Sequence, residues 1–261
     1  MQKIAIIIST QDPASMNIAK ELEQFELPSN VSVHTVEERS VLVNNLDKTI
    51  NADLFIFATK HMSAAGTISL TVHPPGNWFA NDLGGEKQTL GIAPALYLAE
   101  GLLKLEEANQ EQHLNLEVVQ ECTHHGPTFA KPIMFIEIGS SLEQWKKSEY
   151  GKVIAKTIVS LVSSDLEKNV EKKKIAFGIG GTHYTPSFKK LIQRENYAFG
   201  HVCPKYQMEH LTKEMLMQAI EKTVPKVEEV VIEWKGVGSH KEKVRELIVF
   251  LEEKKIAVRK I

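Results

Sequence analysis

An α/β fold with a mixed, largely parallel sheet sandwiched by helices is what this sequence predicts, and two features carry the prediction. Short apolar, β-branched runs alternate with longer amphipathic stretches, and one run, Leu54–Thr59, is apolar at consecutive positions. A strand apolar on both faces needs cover on each side, and strands alternating with helices are the pattern of parallel units. The 261 residues, 43% hydrophobic and 25% charged, suffice for a substantial core. They fit a single α/β domain over residues 1–261.

The elements follow in order. Ile4–Ile8 reads as a strand, and Asp12 then Pro13 supply an N-cap and a first-turn proline for a helix through about Phe25. Val31–Val36 and Leu54–Thr59 read as strands, followed by a helix from about Gln88 to Ala108. Strands are expected at Leu116–Glu121 and Ile133–Ile138, then a helix from about Leu142 to Asp165. The run Glu167–Lys174 reads as a solvated turn in preference to an interdomain linker. Lys174–Gly178 is a strand leading into a glycine-rich loop, helices follow at Ser187–Glu195 and Leu211–Lys222, a strand at Val230–Ile232, and a last helix at about Ser239–Glu253.

Charge and cysteine usage narrow the function. Thirty-one basic and thirty-three acidic residues leave a formal charge of -2, so a nucleic acid must be met by a local patch. The segment Lys235–Ile261, basic for its length, either meets an RNA backbone or is a solvated face. Cys122 and Cys203 form no CxxC pair, which argues against a disulfide framework and a four-thiolate zinc site and fits a reducing cytoplasm. The apolar run at the amino terminus is too short for a secretory segment, and no run approaches the ~18 apolar residues of a membrane span. A soluble cytoplasmic protein is expected, with no membrane and no protein partner evident, acting as a monomer.

Three stretches depart from the usual charge spacing. His61–Asn81 holds no charged residue but carries His61, His73 and the turn Pro74-Pro75-Gly76-Asn77-Trp78. Cys122–Ala130 contains Thr123, His124, His125 and Gly126 directly after Glu121, and Ile175–Phe188 contains Gly180, Gly181, Thr182, His183 and Tyr184. Because ligands of open α/β sheets bind outside the carboxyl ends of strands, these His-bearing loops are expected to converge at one rim. Histidine suits both proton transfer near neutral pH and zinc ligation.

Glu121, His124, His125, Glu137, His183 and His201 offer enough donors for a metal, yet the spacing matches no standard zinc signature. An orienting role is therefore favoured for any single one of them. Gly178-Ile179-Gly180-Gly181 fails the dinucleotide fingerprint because His183 stands where its last glycine belongs. That loop is either a phosphate cradle or a tight strand-to-helix turn. Without a G-x-S-x-G elbow, and with Cys122 read as a buried structural thiol, attack by activated water is expected instead of an acyl-enzyme. Lys60 at a strand end is either an oxyanion or phosphate partner or a snorkelling cation.

Ala58-Thr59-Lys60-His61, Thr71 to Trp78, Glu121 to Pro127, Gly180 to Tyr184 and Gly200-His201 occur in an order and at intervals that resemble the D-aminoacyl-tRNA deacylases of archaea and plants. Ile4–Thr10, Asp12-Pro13-Ala14-Ser15 and Leu90-Gly91 extend the resemblance over almost the whole chain. It implies a fold related to peptidyl-tRNA hydrolases and purine nucleoside phosphorylases, hydrolysis of D-aminoacyl-tRNA with broad side-chain tolerance, and dependence on zinc. On these matched positions the catalytic candidates are Lys60, His61, Glu121, His124, His125 and His183. The substrate-binding candidates are His73, Asn77, Trp78, Thr123, Gly126, Gly180, Gly181, Thr182 and Tyr184, and the metal candidates His124, His125, Glu137, His183 and His201. A nucleoside phosphorylase-like or zinc carboxypeptidase-like hydrolase is the alternative that a related sheet would host, and a non-catalytic RNA-binding module is a second.

Overall fold

The computed structural model describes residues 2–63, 66–166, 168 and 172–261. The chain begins β1 (Ile4–Ser9), α1 (Pro13–Leu22), β2 (Val31–Val36), α2 (Leu46–Thr49), β3 (Leu54–Met62) and β4 (Ser69–His73). Three two-residue strands, β5 (Gly76–Asn77), β6 (Thr89–Leu90) and β7 (Ala93–Pro94), precede α3 (Ala95–Glu111), β8 (Glu117–Gln120) and β9 (Ile133–Ser140). Next come α4 (Leu142–Trp145), α5 (Ser148–Val162), β10 (Lys174–Ile179), α6 (Pro186–Glu195) and β11 (Tyr197–Cys203). The chain ends with α7 (Lys213–Glu221), β12 (Thr223–Val224), β13 (Glu229–Ile232), α8 (Lys241–Glu253) and β14 (Ala257–Lys260).

The mixed, largely parallel α/β architecture is the predicted one, divided among the described residues between two larger sheets, with the two-stranded pairs β7–β12 and β5–β6 beside them. Six strands form the first in the order β2-β1-β3-β9-β4-β8, and four form the second in the order β11-β10-β13-β14. In the first, β4 runs antiparallel to β9 while β8 runs parallel to β4. The second is parallel throughout. Helix α3 packs against α5 and β8 of the first sheet and against β11 of the second.

Side chains alternate across a strand, and here the alternation separates two cores. Ile4, Ile6, Ile8, Leu54, Ile56, Ala58, Met134, Ile136 and Ile138 face the helices in the larger cluster. Ala5, Ile7, Phe55, Phe57 and Phe135 face the other way and pack with Phe129. That second face carries the polar centre described below.

Several boundaries differ from expectation. The Asp12 cap is present, its Oδ1 accepting from Ala14 N and Ser15 N, and its Oδ2 accepts from Lys60 N at 2.9 Å, pinning the far end of β3 to the same residue. The helix expected from Gln88 starts at Ala95. Before it, Leu90 N and Ala93 N donate to Gln218 Oε1 and Lys222 O, and proline at 94 cannot continue a helix backwards. The helix expected over 142–165 is two, α4 and α5, parted at Lys146–Lys147. β4, β11 and β14 were not expected. Of the run Glu167–Lys174, residues 167 and 169–171 lie outside the described residues.

Candidate active site

Glu137 is the residue around which the site is built. It lies mid-strand in β9, where register sets Thr59 of β3 opposite it on one side and Thr71 of β4 on the other. All three side chains share the Phe135 face, as do His61 and His73, each two residues further along its strand. Thr59 Oγ1 donates to Glu137 Oε1 at 2.6 Å and Thr71 Oγ1 to Oε2 at 3.4 Å. Glu137 Oε2 also faces His73 Nε2 at 3.5 Å and His61 Nδ1 at 3.7 Å. The expectation of a site at one rim is corrected here: β4 and β8 run against β3 and β9, so their carboxyl ends lie at the opposite end, and the histidines meet over the sheet face.

Two loops close over that face. Glu121, directly after β8, is fully buried, with Oε2 2.7 Å from His183 Nε2 and 3.6 Å from His124 Nε2. Its Oε1 comes within 3.2 Å of His61 Nδ1, yet this oxygen and His73 Nε2 are buried without a hydrogen bond. The loop from β8 is stitched to the second sheet: Cys122 N donates to His183 O, Thr123 N to Val202 O, and Thr185 Oγ1 to Gln120 O. Trp145 Nε1 donates to His61 O and fixes the end of β3.

His73, His124 and His125 share one arrangement. Their Nδ1 atoms lie 3.1, 2.9 and 2.6 Å from the carbonyl oxygens of Pro74, Cys122 and Gly126. A carbonyl only accepts, so Nδ1 carries the proton in each ring and the neutral form bears its lone pair on Nε2. Ring centroids are 4.2 Å apart for His73 and His124 and 4.4 Å for His124 and His125, and the three ligand atoms fall within 4.8 Å of one another.

Electrostatics divides the histidines into two classes. Burial, reinforced by the charge on His73, drives His124 far below the ordinary imidazole value and His125 to about 4, so both are neutral at pH 7. Burial opposes charge on His183 as well, but its hydrogen bonds to Cys122 and Glu121 outweigh this and lift it to about 10. Glu137 similarly overrides burial and raises His73. Despite complete burial, Glu121 sits well below the usual carboxylate range, held there chiefly by its hydrogen bond with His183 and further by the histidines around it.

Three cavities meet at this cluster. One of about 220 Å³ is lined by Asp12, Arg39, Lys60, His61, His124, His125 and His183 among others. A second, of about 320 Å³, opens on the other side of His124 and His125 beneath Phe79 and His210. The third, of about 470 Å³, reaches His61 and His183 past Met62, Thr182 and Tyr184.

Of the candidates, Lys60, His61, Glu121, His124, His125 and His183 are thus brought together, with Glu137 behind them. Tyr184 joins them, its hydroxyl 3.1 Å from His61 Nε2, and Thr182 lines the third cavity. His73, expected at the substrate, is fully buried inside the cluster. His201 stands apart. Thr123 Oγ1, which accepts from Val202 N, donates to His201 Nδ1, while His201 Nε2 donates to Gly91 O. Both nitrogens are engaged and burial holds the ring neutral, with its value down at about 4, so it braces Thr123 and has no lone pair for a metal.

Thr123, Trp78 and Asn77 are buried braces as well: Trp78 Nε1 donates to Thr123 O, and Asn77 Nδ2 to Gly84 O and Glu86 O. Gly126 lets the loop pass Gly85, since a Cβ there would stand 2.2 Å from Gly85 N. Gly180 and Gly181 have φ of 101° and 81°, which suits glycine, but their N–H groups donate to Cys203 O and Gly236 O. This makes the loop a tight turn and not a phosphate cradle.

Sequence reasoning missed Tyr206, whose hydroxyl meets His183 Nδ1 at 2.9 Å and Cys122 Sγ at 3.2 Å. Its neighbours Lys205 and Gln207 give no hint of a site, and only the fold brings it to His183.

The model of the D-aminoacyl-tRNA deacylase family matches residues 48–259, a span holding every site residue named above except Asp12 and Arg39. This chain belongs to that family. The deacylase is 35% identical over 254 residues to the D-aminoacyl-tRNA deacylase of Pyrococcus furiosus, covering 88% of this chain and 91% of that one. It is 34% identical to that of Methanococcus maripaludis strain C5 over 260 residues, covering 98% of each. The crystal structure of a conserved protein of unknown function, AF0625, superimposes with a TM-score of 0.89 at 28% identity, covering 99% of this chain and 95% of that one. The deacylase is accordingly an enzyme, a hydrolase acting on aminoacyl-tRNA, which decides against the phosphorylase, peptidase and non-catalytic alternatives. No helix among its described residues is long and apolar enough to cross a membrane.

Proposed function

We propose that this deacylase releases D-amino acids from tRNA by direct attack of water on the ester carbonyl, the water being activated at His124 and His125, with tolerance of many side chains. The observation that carries this is the Nδ1 contact to a main-chain carbonyl shared by His73, His124 and His125, whose ligand atoms fall within 4.8 Å of one another, with His124 and His125 held neutral. A neutral imidazole with a free Nε2 is what a general base needs, and equally what a metal needs.

Zinc, implied by the resemblance, fits these residues. His73 Nε2 is a buried nitrogen without a hydrogen bond, and imidazoles oriented through Nδ1 by main-chain carbonyls are suited to ligation. His73, His124 and His125 would hold the ion, which when bound supplies Lewis acidity and acidifies water. The remaining roles belong to the chain. Glu121, anionic and fixed by His183, compensates buried positive charge beside His124, which is oriented by Cys122 O. Both nitrogens of His183 are engaged with Glu121 and Tyr206, so it contributes positive field at the cavity wall, not a free donor. Lys60 Nζ lies over the Trp145 ring at 5.1 Å and lines the first cavity, placed to meet charge developing on the carbonyl oxygen. The lining mixes cationic, hydroxyl and apolar groups, including Met62 and Leu83, which suits recognition of the aminoacyl backbone over one side chain. Charged tRNA locates the reaction in the cytoplasm.

The test is deacylation of matched D- and L-aminoacyl-tRNA with and without chelator. The D-ester is cleaved and the L-ester spared; chelator stops the reaction and zinc restores it. Equal cleavage of both esters refutes the chiral reading, and indifference to chelator leaves His124 as base without a metal.

Cys122 raises a second mechanism, because its Sγ lies 3.3 Å from His183 Nδ1, and His183 in turn contacts Glu121, as a nucleophile, base and orienter would. The thiol is fully buried, and it lines none of the three cavities at the cluster. Cys122→Ser should therefore keep deacylation within roughly tenfold, where loss of a covalent nucleophile costs on the order of 10⁴-fold. Single-turnover rates measure the difference.

A further inference from the structure

We infer that the face formed by Trp234 and the cations around it binds the phosphate backbone of the tRNA acceptor arm, an inference that rests on the deacylase reading above. Three cations converge on this one indole: Lys260 Nζ lies 4.8 Å from its centroid, Arg245 Cζ 5.5 Å and Lys241 Nζ 5.7 Å. They come from α8 and β14, so the fold and not the sequence run assembles them. Arg245 pairs with Glu242, whereas among the described residues Lys241 and Lys260 have no carboxylate partner. Lys235, next to Trp234 in the chain, is exposed, and the side chain of Lys205 lies against Gly238.

In a chain with a formal charge of -2, a cationic group of this kind is a local feature. Like charges gathered on one ring repel, and the indole quadrupole offsets this only in part. A polyanion lying across them removes the remainder while releasing its own counterions.

The patch is also joined to the active site. Gly181, two residues before His183, donates through its N–H to Gly236 O at 3.2 Å and accepts from Lys205 N at 3.0 Å. Contact at Gly236 is so close that a Cβ there would stand 2.5 Å from Gly181 N. The loop that follows Trp234 and the loop presenting His183 therefore hold each other in place, and both leave the same edge of the second sheet, where β10, β13 and β14 end in parallel. Trp234 is half-buried with cations over its ring, an arrangement for phosphates and not for insertion into lipid.

The experiment compares wild type, Lys241→Ala/Lys260→Ala and the remote control Lys152→Ala. In the double variant the KM for D-aminoacyl-tRNA and the Kd for uncharged tRNA rise roughly tenfold, kcat is unchanged, and the slope of log Kd against log salt shrinks by about 2. Hydrolysis of D-aminoacyl-adenosine, which lacks the arm, is unaffected. An unchanged Kd and slope overturn the inference, as does an equal loss with D-aminoacyl-adenosine. Cosedimentation of wild type with phosphatidylglycerol vesicles, lost in the variant while its tRNA affinity stays intact, overturns it in favour of a membrane surface. Wild type that binds tRNA through these lysines but leaves D-esters uncut would refute the deacylase reading alone.

Discussion

Glu121→Ala is expected to abolish measurable turnover and to lower the thermal midpoint of the metal-free protein by roughly 10 °C, the size of effect that about 3–5 kcal/mol has in a chain of this length. Glu121 is fully buried and faces His61, His124 and His183 at 3.2, 3.6 and 2.7 Å. Its removal strands the positive charge of His183 against a low-dielectric wall. The pH dependence makes the test specific. His183 has a folded value of about 10, above the ~6.5 of an unperturbed imidazole, so its stabilisation is complete below that ordinary value and is lost as pH rises through 10. Glu121 is shifted the other way, and its stabilisation is present above the ordinary carboxylate value and lost as pH falls below it. Wild type thus has a stability plateau with an alkaline limb near pH 10, and in Glu121→Ala that limb moves to lower pH, since of the two partners that raise His183 only Cys122 remains. Calorimetric scans from pH 4 to pH 11 read both, and a variant whose alkaline limb stays near pH 10 would disprove the His183–Glu121 pairing.

His124→Ala is expected to reduce kcat by about 10²–10⁴-fold, the range for loss of a positioned acid–base group, with little change in thermal midpoint. His124 is partly open to two cavities, and alanine there leaves Glu121 still paired with His183. Its imidazole is neutral well below the ordinary value, so wild-type kcat holds level as pH falls through 6.5. A kcat profile with a limb at 6.5 would contradict a pre-neutralised His124, and wild-type kcat in His124→Ala would remove it from the mechanism.

The fold is legible where burial on both faces makes a strand an unbroken run of aliphatic and aromatic residues, and not at β11, whose buried run is broken by Gly200 and His201. β1, β3, β9 and β10 announce themselves as runs such as Ile4–Ile8 and Ile133–Ile138. β4 did not, because Ser69, Thr71 and His73 alternate with Leu70 and Val72. Those polar residues are buried by pairing with Glu137 and its neighbours, a tertiary arrangement that propensity cannot express. β14 was missed for the opposite reason, as an exposed edge with Arg259 and Lys260. The convergence of His61, His124, His125 and His183 was legible from the charge-free loops. The separate duties of His201, Thr123 and Trp78 were not, since a histidine that braces a threonine and one that faces a cavity have the same letter and similar neighbours. Glu137 is legible as a donor, but its place between two threonines depends on strand register, which has no signature in spacing.

His61, His73 and Glu137 belong to the first sheet, and His183 to the loop leaving the second; the seam between them is sewn by main-chain hydrogen bonds at Cys122 and Thr123. Reactivity in this enzyme is consequently a property of a joint. Loosening that seam by an ångström separates Glu121 from His183 without melting either half. The ester-cleaving function should then vanish ahead of bulk denaturation on warming, and the amides of Cys122 and Thr123 should exchange with solvent before those of β1 or β10.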